Sequence, residues 1–228
     1  MKSKIVILIL MFSTCIYSQE LKKNNWAIKI NTLQLVDNFS FPTLQLSAER
    51  KLNSYLSLNI EAGYQIYDNS TSADTIFLKQ KGFKTNIEGR IYLQKLLASR
   101  VKSNRSELYV GLQLFYRENQ TTNTLTYVSS DPTNNNTYED DFGVKKRAKG
   151  INLTFGNQIS ITKKVLLEPF IVLGYMNKKV INTNMQYDEN KHSTDLNDGV
   201  PILVGKDLES SSGNMINFGF GFRVGYRF

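Results

Sequence analysis

The sequence predicts an all-β fold, an eight-stranded antiparallel up-and-down transmembrane β-barrel. Three observations predict it. Residues 217–228 read NFGFGFRVGYRF: Phe218, Phe220, Phe222, Val224, Tyr226 and Phe228 alternate with Asn217, Gly219, Gly221, Arg223, Gly225 and Arg227. Period-two alternation of this kind makes a strand with two very different faces. In water its aromatic row is an aggregation hazard, and in a bilayer it is a lipid-facing band. Seven further segments alternate in the same way. The connections between them are short on one side and long on the other, the pattern of a membrane barrel with its long loops outside the cell.

In chain order, residues 1–18 carry Lys2 and Lys4, an uncharged apolar run over 5–12 and a small, polar stretch over 13–18, followed by charged residues over 19–23. That is the layout of an export signal, and its apolar run is too short to cross a bilayer as a helix. Cleavage is expected after Ser18, leaving one domain over 19–228. Cys15 is the only cysteine. Phe12-Ser13-Thr14 suits a lipidated cysteine badly, so Cys15 leaves with the signal and the mature chain has no disulfide or zinc–thiolate site.

The expected strands cover residues 26–35, 43–52, 55–67, 83–94, 108–118, 150–161, 165–177 and 217–228. The third is the cleanest: Leu56, Leu58, Ile60, Ala62, Tyr64 and Ile66 alternate with Ser57, Asn59, Glu61, Gly63 and Gln65. Asn53-Ser54 and Thr162-Lys163-Lys164 are tight turns, and 95–106 is an intermediate basic connection. Residues 36–42, 68–81, 119–149 and 178–213 are expected as the long loops; the last two are rich in Asn, Thr, Ser and Asp. Both termini then lie on the periplasmic side. Pro169 falls inside the seventh strand, where it has no N–H for a ladder, so a bulge or local irregularity is expected there.

Alternation alone does not say which face meets solvent, because a soluble barrel alternates too. The polar face carries Gly63, Gly111, Gly156, Gly174, Gly219, Gly221 and Gly225 among the charges Glu49, Glu61, Glu88, Arg90, Arg117, Glu168, Arg223 and Arg227. A narrow eight-stranded lumen is filled by side chains, and glycine makes room there for long neighbours. On a solvated face the same glycines only weaken the strands. Trp26, Tyr55, Tyr64, Tyr67, Phe83, Tyr116, Tyr175, Tyr226 and Phe228 lie near strand ends, where a membrane barrel has its aromatic girdles. The mean hydropathy is negative, as expected when half of each strand faces a polar interior.

The eight charges are the candidate site. Buried charges need partners, and Glu168 is expected to face Arg223 across the last two strands. The expected result is an ion-pair network that plugs the lumen; a gated path or small-ligand site is the alternative. The chain has 28 Lys and Arg against 20 Asp and Glu, a net charge of +8, or about +6 without Lys2 and Lys4. No basic cluster interleaved with aromatics points to nucleic acid; anionic lipid accounts for the excess. His192, beside Ser193 and Asp195, is the only histidine, and adjacent residues rarely make a catalytic triad. Glu139, Asp140 and Asp141, with Asp188 and Glu189, lack the spacing of a calcium loop. No catalytic, cofactor-binding or metal-binding residue is assigned, and no cofactor is expected.

At this point the chain resembles the small outer-membrane β-barrel proteins, the OmpX-like and OmpA-transmembrane-domain-like group. Gly225-Tyr226-Arg227-Phe228 looks like the carboxyl-terminal signal read by the barrel-assembly machinery. No peptidoglycan-binding domain follows, unlike full OmpA. The resemblance implies structural, adhesive or stress-related roles and, in some members, help to secretion systems; the chain is expected to be a monomer in the bacterial outer membrane, in contact with lipid and lipopolysaccharide. A lipid A-modifying enzyme and a small channel are the competing readings.

Overall fold

The computed structural model describes residues 25–36, 41–65, 81–96, 105–131, 136–188, 190–193 and 210–228. The expected export signal, Tyr67 and most of the 68–81 connection lie outside them. The strands are β1 (Trp26–Asn31), β2 (Leu44–Lys51), β3 (Leu56–Tyr64), β4 (Lys81–Tyr92), β5 (Ser106–Ser129), β6 (Thr137–Ser160), β7 (Val165–Thr183), β8 (His192–Ser193) and β9 (Ser211–Arg227). Eight of them close a ring in the order β1-β2-β3-β4-β5-β6-β7-β9, with every neighbouring pair antiparallel; β9 returns to β1 through Ile28↔Tyr226 and Ile30↔Val224. β8 is a two-residue addition to the far end of β5. Closure removes the sheet edges that an open antiparallel sheet exposes.

Alternation sorts the side chains by face. Outward, Ile28, Ile60 and Ile87 stay about half exposed (50%, 49% and 50%), whereas inward Lys29, Glu88, Arg90, Glu168 and Arg223 are 0% exposed. Trp26, Tyr55, Tyr226 and Phe228 are exposed near the end that carries the short turns; Tyr64, Phe83 and Tyr175 are exposed toward the opposite end. Apolar outside and charged inside is the distribution of a barrel that crosses a bilayer.

Several boundaries differ from the sequence expectation. The first strand ends at Asn31, and Leu33–Val36 forms a 3-10 turn. Gln34 draws the chain across the barrel mouth: its side chain accepts from Lys84 Nζ at 2.8 Å and its carbonyl from the Thr43 amide at 2.7 Å. Phe41, buried beyond that turn, fills space beside Gly82 and lies under the Lys84 ammonium, 4.5 Å from the ring centre. The fourth strand stops at Tyr92 and runs into a helical turn, α1 (Leu93–Leu96).

The largest correction concerns residues 119–149. Their Asn- and Thr-rich composition suggested a loop, but β5 and β6 continue in register through Val128↔Thr137 as a long hairpin. Threonine suits a pleated, half-exposed surface, and the buried residues still alternate: Leu125 and Tyr127 on β5, Phe142 and Val144 on β6. With Val180 of β7, which also outruns its expected end, they form a small core beyond the barrel, covered by Met185 and Tyr187. Asp140 anchors the covering segment by accepting the Gln186 and Tyr187 amides at 2.7 and 2.9 Å. Phe142→Ala is expected to loosen this extension and leave the barrel closed. Limited proteolysis of the folded protein should cut faster within 119–149 while the remaining strands stay protected; equal cutting of both regions would contradict an independent outer core.

Pro169 points outward in β7. Its pairing with Phe222 of β9 is intact, but the ladder to β6 passes from Gly156↔Phe170 directly to Ile159↔Leu167. The register offset is the same on both sides of the gap, so pairs are lost without a bulge. Proline has no N–H to donate, which accounts for the break.

Candidate functional site

The inward faces of all eight ring strands contribute to one continuous knot, whose charged members come from six of them. Glu168 (β7) is its hub. It accepts from Arg223 Nη1 at 2.6 Å, Arg90 Nη2 at 3.1 Å, the Tyr109 hydroxyl at 2.9 Å, Gln158 Nε2 at 3.0 Å and the Lys29 ammonium. Glu49 (β2) is a second hub, accepting from Arg90 Nη1 at 3.0 Å, Gln158 Nε2 at 2.6 Å, the Ser57 hydroxyl at 2.5 Å, Lys29 and the Tyr92 hydroxyl. Arg90 reaches its near neighbour Glu88 at 2.7 Å, and Arg223 Nε reaches Glu61 at 2.6 Å. The register dictates one of these meetings, because Glu168 and Arg223 are direct cross-strand partners.

Arg117 and Arg227 lie outside the knot, one toward each end. Arg117, further up β5, stacks on Phe115 at 4.7 Å. Arg227, below Arg223 on β9, donates to Gln158 at 3.4 Å. Lys29, Tyr92, Tyr109 and Gln158 were missing from the sequence-based set. The alternation placed Lys29 on the inward face, so it was findable; Tyr92 and Tyr109 read as ordinary strand residues until closure aimed them at carboxylates.

Glycine opens the space these long side chains need. A Cβ on Gly111 would sit 2.5 Å from Glu88 Oε1, and one on Gly156 would sit 2.4 Å from the Tyr109 hydroxyl. Arg90 and Arg223 also lie on ring faces, over Tyr109 at 4.5 Å and Phe170 at 3.7 Å. A cavity of about 10 Å³ bounded by Ala27, Glu49, Lys51, Gln158 and Arg227 remains near the short-turn end, space for about one water. Lys51 closes that end by pairing with Glu107 at 2.7 Å. The arrangement binds charges to one another and offers little room for a solute.

Outside the barrel, His192 pairs with Ser129 of β5 and packs against Tyr127 at 4.6 Å between ring centres, the two rings tilted by 50°. Its Nδ1 accepts the Asp188 amide at 3.0 Å. Asp195, its neighbour in the sequence, and Glu189 of the acidic pair lie outside the described residues. Among the described residues, no group of three or more His, Cys, Asp or Glu side chains is placed to hold a metal ion. Just beyond the apolar band, outward-facing Glu118 accepts from Lys145 at 2.7 Å, Arg147 Nε at 2.9 Å and the Tyr116 hydroxyl at 2.7 Å. The Lys145 bond leads in holding its carboxyl down, to about 2, against partial desolvation; Tyr116, Gln120 and Arg147 add to it.

A family model described as Protein of unknown function (DUF3575) matches residues 5–203. No curated protein matches the sequence. Among solved structures, the chain is similar to a major outer membrane protein from Thermus thermophilus, with 10% identity over 90% of this chain and 99% of that one and a TM-score of 0.44. It is also similar to CarO of Acinetobacter baumannii, with 14% identity over 92% of this chain and 99% of that one and a TM-score of 0.40.

Proposed function

The chain belongs to the DUF3575 family, and we propose that it is an integral protein of the bacterial outer membrane with a structural or surface-interaction role, its lumen closed by side chains. One observation carries this reading: the barrel is inside-out for water, with charges sealed within and a band of half-exposed aliphatic and aromatic residues around it. Such a surface has its low-energy environment in lipid. The protein works as a monomer with both termini periplasmic, is inserted by the barrel-assembly machinery through Gly225-Tyr226-Arg227-Phe228, and presents the β5–β6 hairpin outside the cell. The charged knot supports a plug rather than a path, since each bond that holds it must be broken before a solute can pass. No catalytic step is assigned. His192, the one histidine in the sequence, has one ring nitrogen occupied by a backbone amide.

Fractionation of expressing cells tests the placement. The protein is expected in the outer-membrane fraction, and it should migrate differently on a detergent gel before and after boiling. A soluble periplasmic protein with no such shift would end this reading. An altered lipid A acyl pattern in a deletion strain, restored by complementation, would replace it with an enzyme. Reproducible single-channel steps in planar bilayers would replace the closed lumen with a channel.

A further inference from the structure

The outward face changes character abruptly where the apolar band ends. On β6, Ile151 is followed on the same face by Lys149, Arg147 and Lys145; on β7, Tyr175 is followed by Asn177 and Lys179; on β4, Phe83 is preceded by Lys81. The register sets these cations side by side. Arg147 is the direct partner of Lys179 on one side and of Glu118 on the other, and Lys149 lies opposite Tyr116 and Asn177. Directly opposed side chains have Cβ atoms about 5 Å apart. Lys149, Arg147 and Lys179 therefore project as one cluster from the level just above Tyr116 and Tyr175. All three side chains are exposed.

Their partners do not neutralise them. Glu118 is the one carboxylate paired with this cluster among the described residues, and it is shared between Lys145 and Arg147. Neither Lys149 nor Lys179 forms an ion pair among those residues. Three neighbouring cations exposed on a soluble surface would repel one another and spread into water. Here they stand at the height where a bilayer places its headgroups, above an aromatic girdle that marks the interface. Arginine supplies a planar fork for phosphate oxygens and lysine a point charge. Tyr116 and Tyr175 share the outward face with those cations, Tyr116 directly opposite Lys149 and Tyr175 opposite Ile151.

We propose that Lys149, Arg147 and Lys179 form a binding site for a phosphate-bearing lipid headgroup of the outer leaflet, with Glu118 competing for the Arg147 charge and the strand surface below receiving the acyl chains. The site rests on the outer-membrane reading and adds to it a defined lipid contact on the β6–β7 face. The hairpin end then faces the leaflet that carries lipid A, whose two phosphates suit a cluster of three cations.

The test uses the full-length folded protein in detergent and native mass spectrometry, with bisphosphorylated lipid A and its dephosphorylated form as probes. The wild type should retain the bisphosphorylated form preferentially. Arg147→Gln/Lys149→Gln/Lys179→Gln should reduce that retention about tenfold or more, since each cation near an anionic surface contributes roughly a fivefold effect. Lys163→Gln, in the turn at the opposite end, should leave retention unchanged. Glu118→Gln should strengthen retention, because it frees the Lys145 and Arg147 charges. The gel shift on boiling reports independently whether each variant is a folded barrel. Equal retention of the two lipids by a correctly folded barrel would overturn the phosphate site while leaving the outer-membrane reading standing. Complete displacement of lipid A by excess inorganic phosphate would overturn the assignment to a lipid. Loss of the gel shift and of outer-membrane fractionation in the wild type would instead remove the reading on which the site rests.

Discussion

Glu168→Ala is expected to destabilise the folded barrel by about 3–5 kcal/mol, the range found when one member of a buried ionic cluster is removed. The reason is the number of cations this single carboxylate serves. Arg90, Arg223 and Lys29 all bond to it, and each is fully buried. Glu49 and Glu61 retain contacts with those cations, but neither reaches all three. Urea unfolding from phospholipid vesicles, followed by tryptophan fluorescence, measures the loss directly; Trp26, the single tryptophan, lies in the wall at β1. The double variant Glu168→Ala/Arg223→Leu should cost less than the sum of its single changes, because removing Arg223 relieves one of the stranded charges. A shift under about 1 kcal/mol for Glu168→Ala, the scale of a surface ion pair, would show that the knot is hydrated and contributes little to stability.

Gly221→Ala carries the second large expectation. A Cβ at this position would lie 2.1 Å from Phe170 Cζ and 2.4 Å from Cε1. The phenyl ring has little freedom to move, because the Arg223 guanidinium lies over it at 3.7 Å. Overpacking of this kind costs typically about 1–3 kcal/mol, and here moving the ring also disturbs the support of a buried cation. Phe170→Ala alone opens a void and is expected to cost about 3–5 kcal/mol. Combined with Gly221→Ala, the total should fall below the sum, since the new methyl enters the space the ring has left. Strictly additive costs in the same urea assay would mean that the two positions do not share the space described.

Much of the architecture was legible in the sequence, for a definite reason. A strand has a side-chain period of two, so a single pass along residues 55–67 or 217–228 assigns every residue to a face without knowledge of any partner strand. Eight such segments, an even number, with Glu and Arg among glycines on one face, were enough to anticipate a closed barrel with a charged interior. What misled was composition. Residues 119–149 look like a loop because Asn, Thr and Ser dominate them, yet Leu125, Tyr127, Phe142 and Val144 bury one face of a hairpin there. The benefit of that burial depends on β7 reaching far enough to place Val180 beneath them, a contact between segments distant in the chain.

The candidate site divides along the same line. Alternation determined that Glu49, Glu61, Glu88, Arg90, Glu168 and Arg223 share the inward face, because facing is a local property of each strand. Closure and register decided which of them meet. They made Glu168 the hub, brought in Lys29, Tyr92, Tyr109 and Gln158, and left Arg117 and Arg227 toward the ends. They also assembled Lys149, Arg147 and Lys179 into one outward cluster from two strands whose lysines look unremarkable in sequence. A chain specifies by itself the direction in which each side chain points; the distance between two side chains on different strands follows from pairings made around the whole ring.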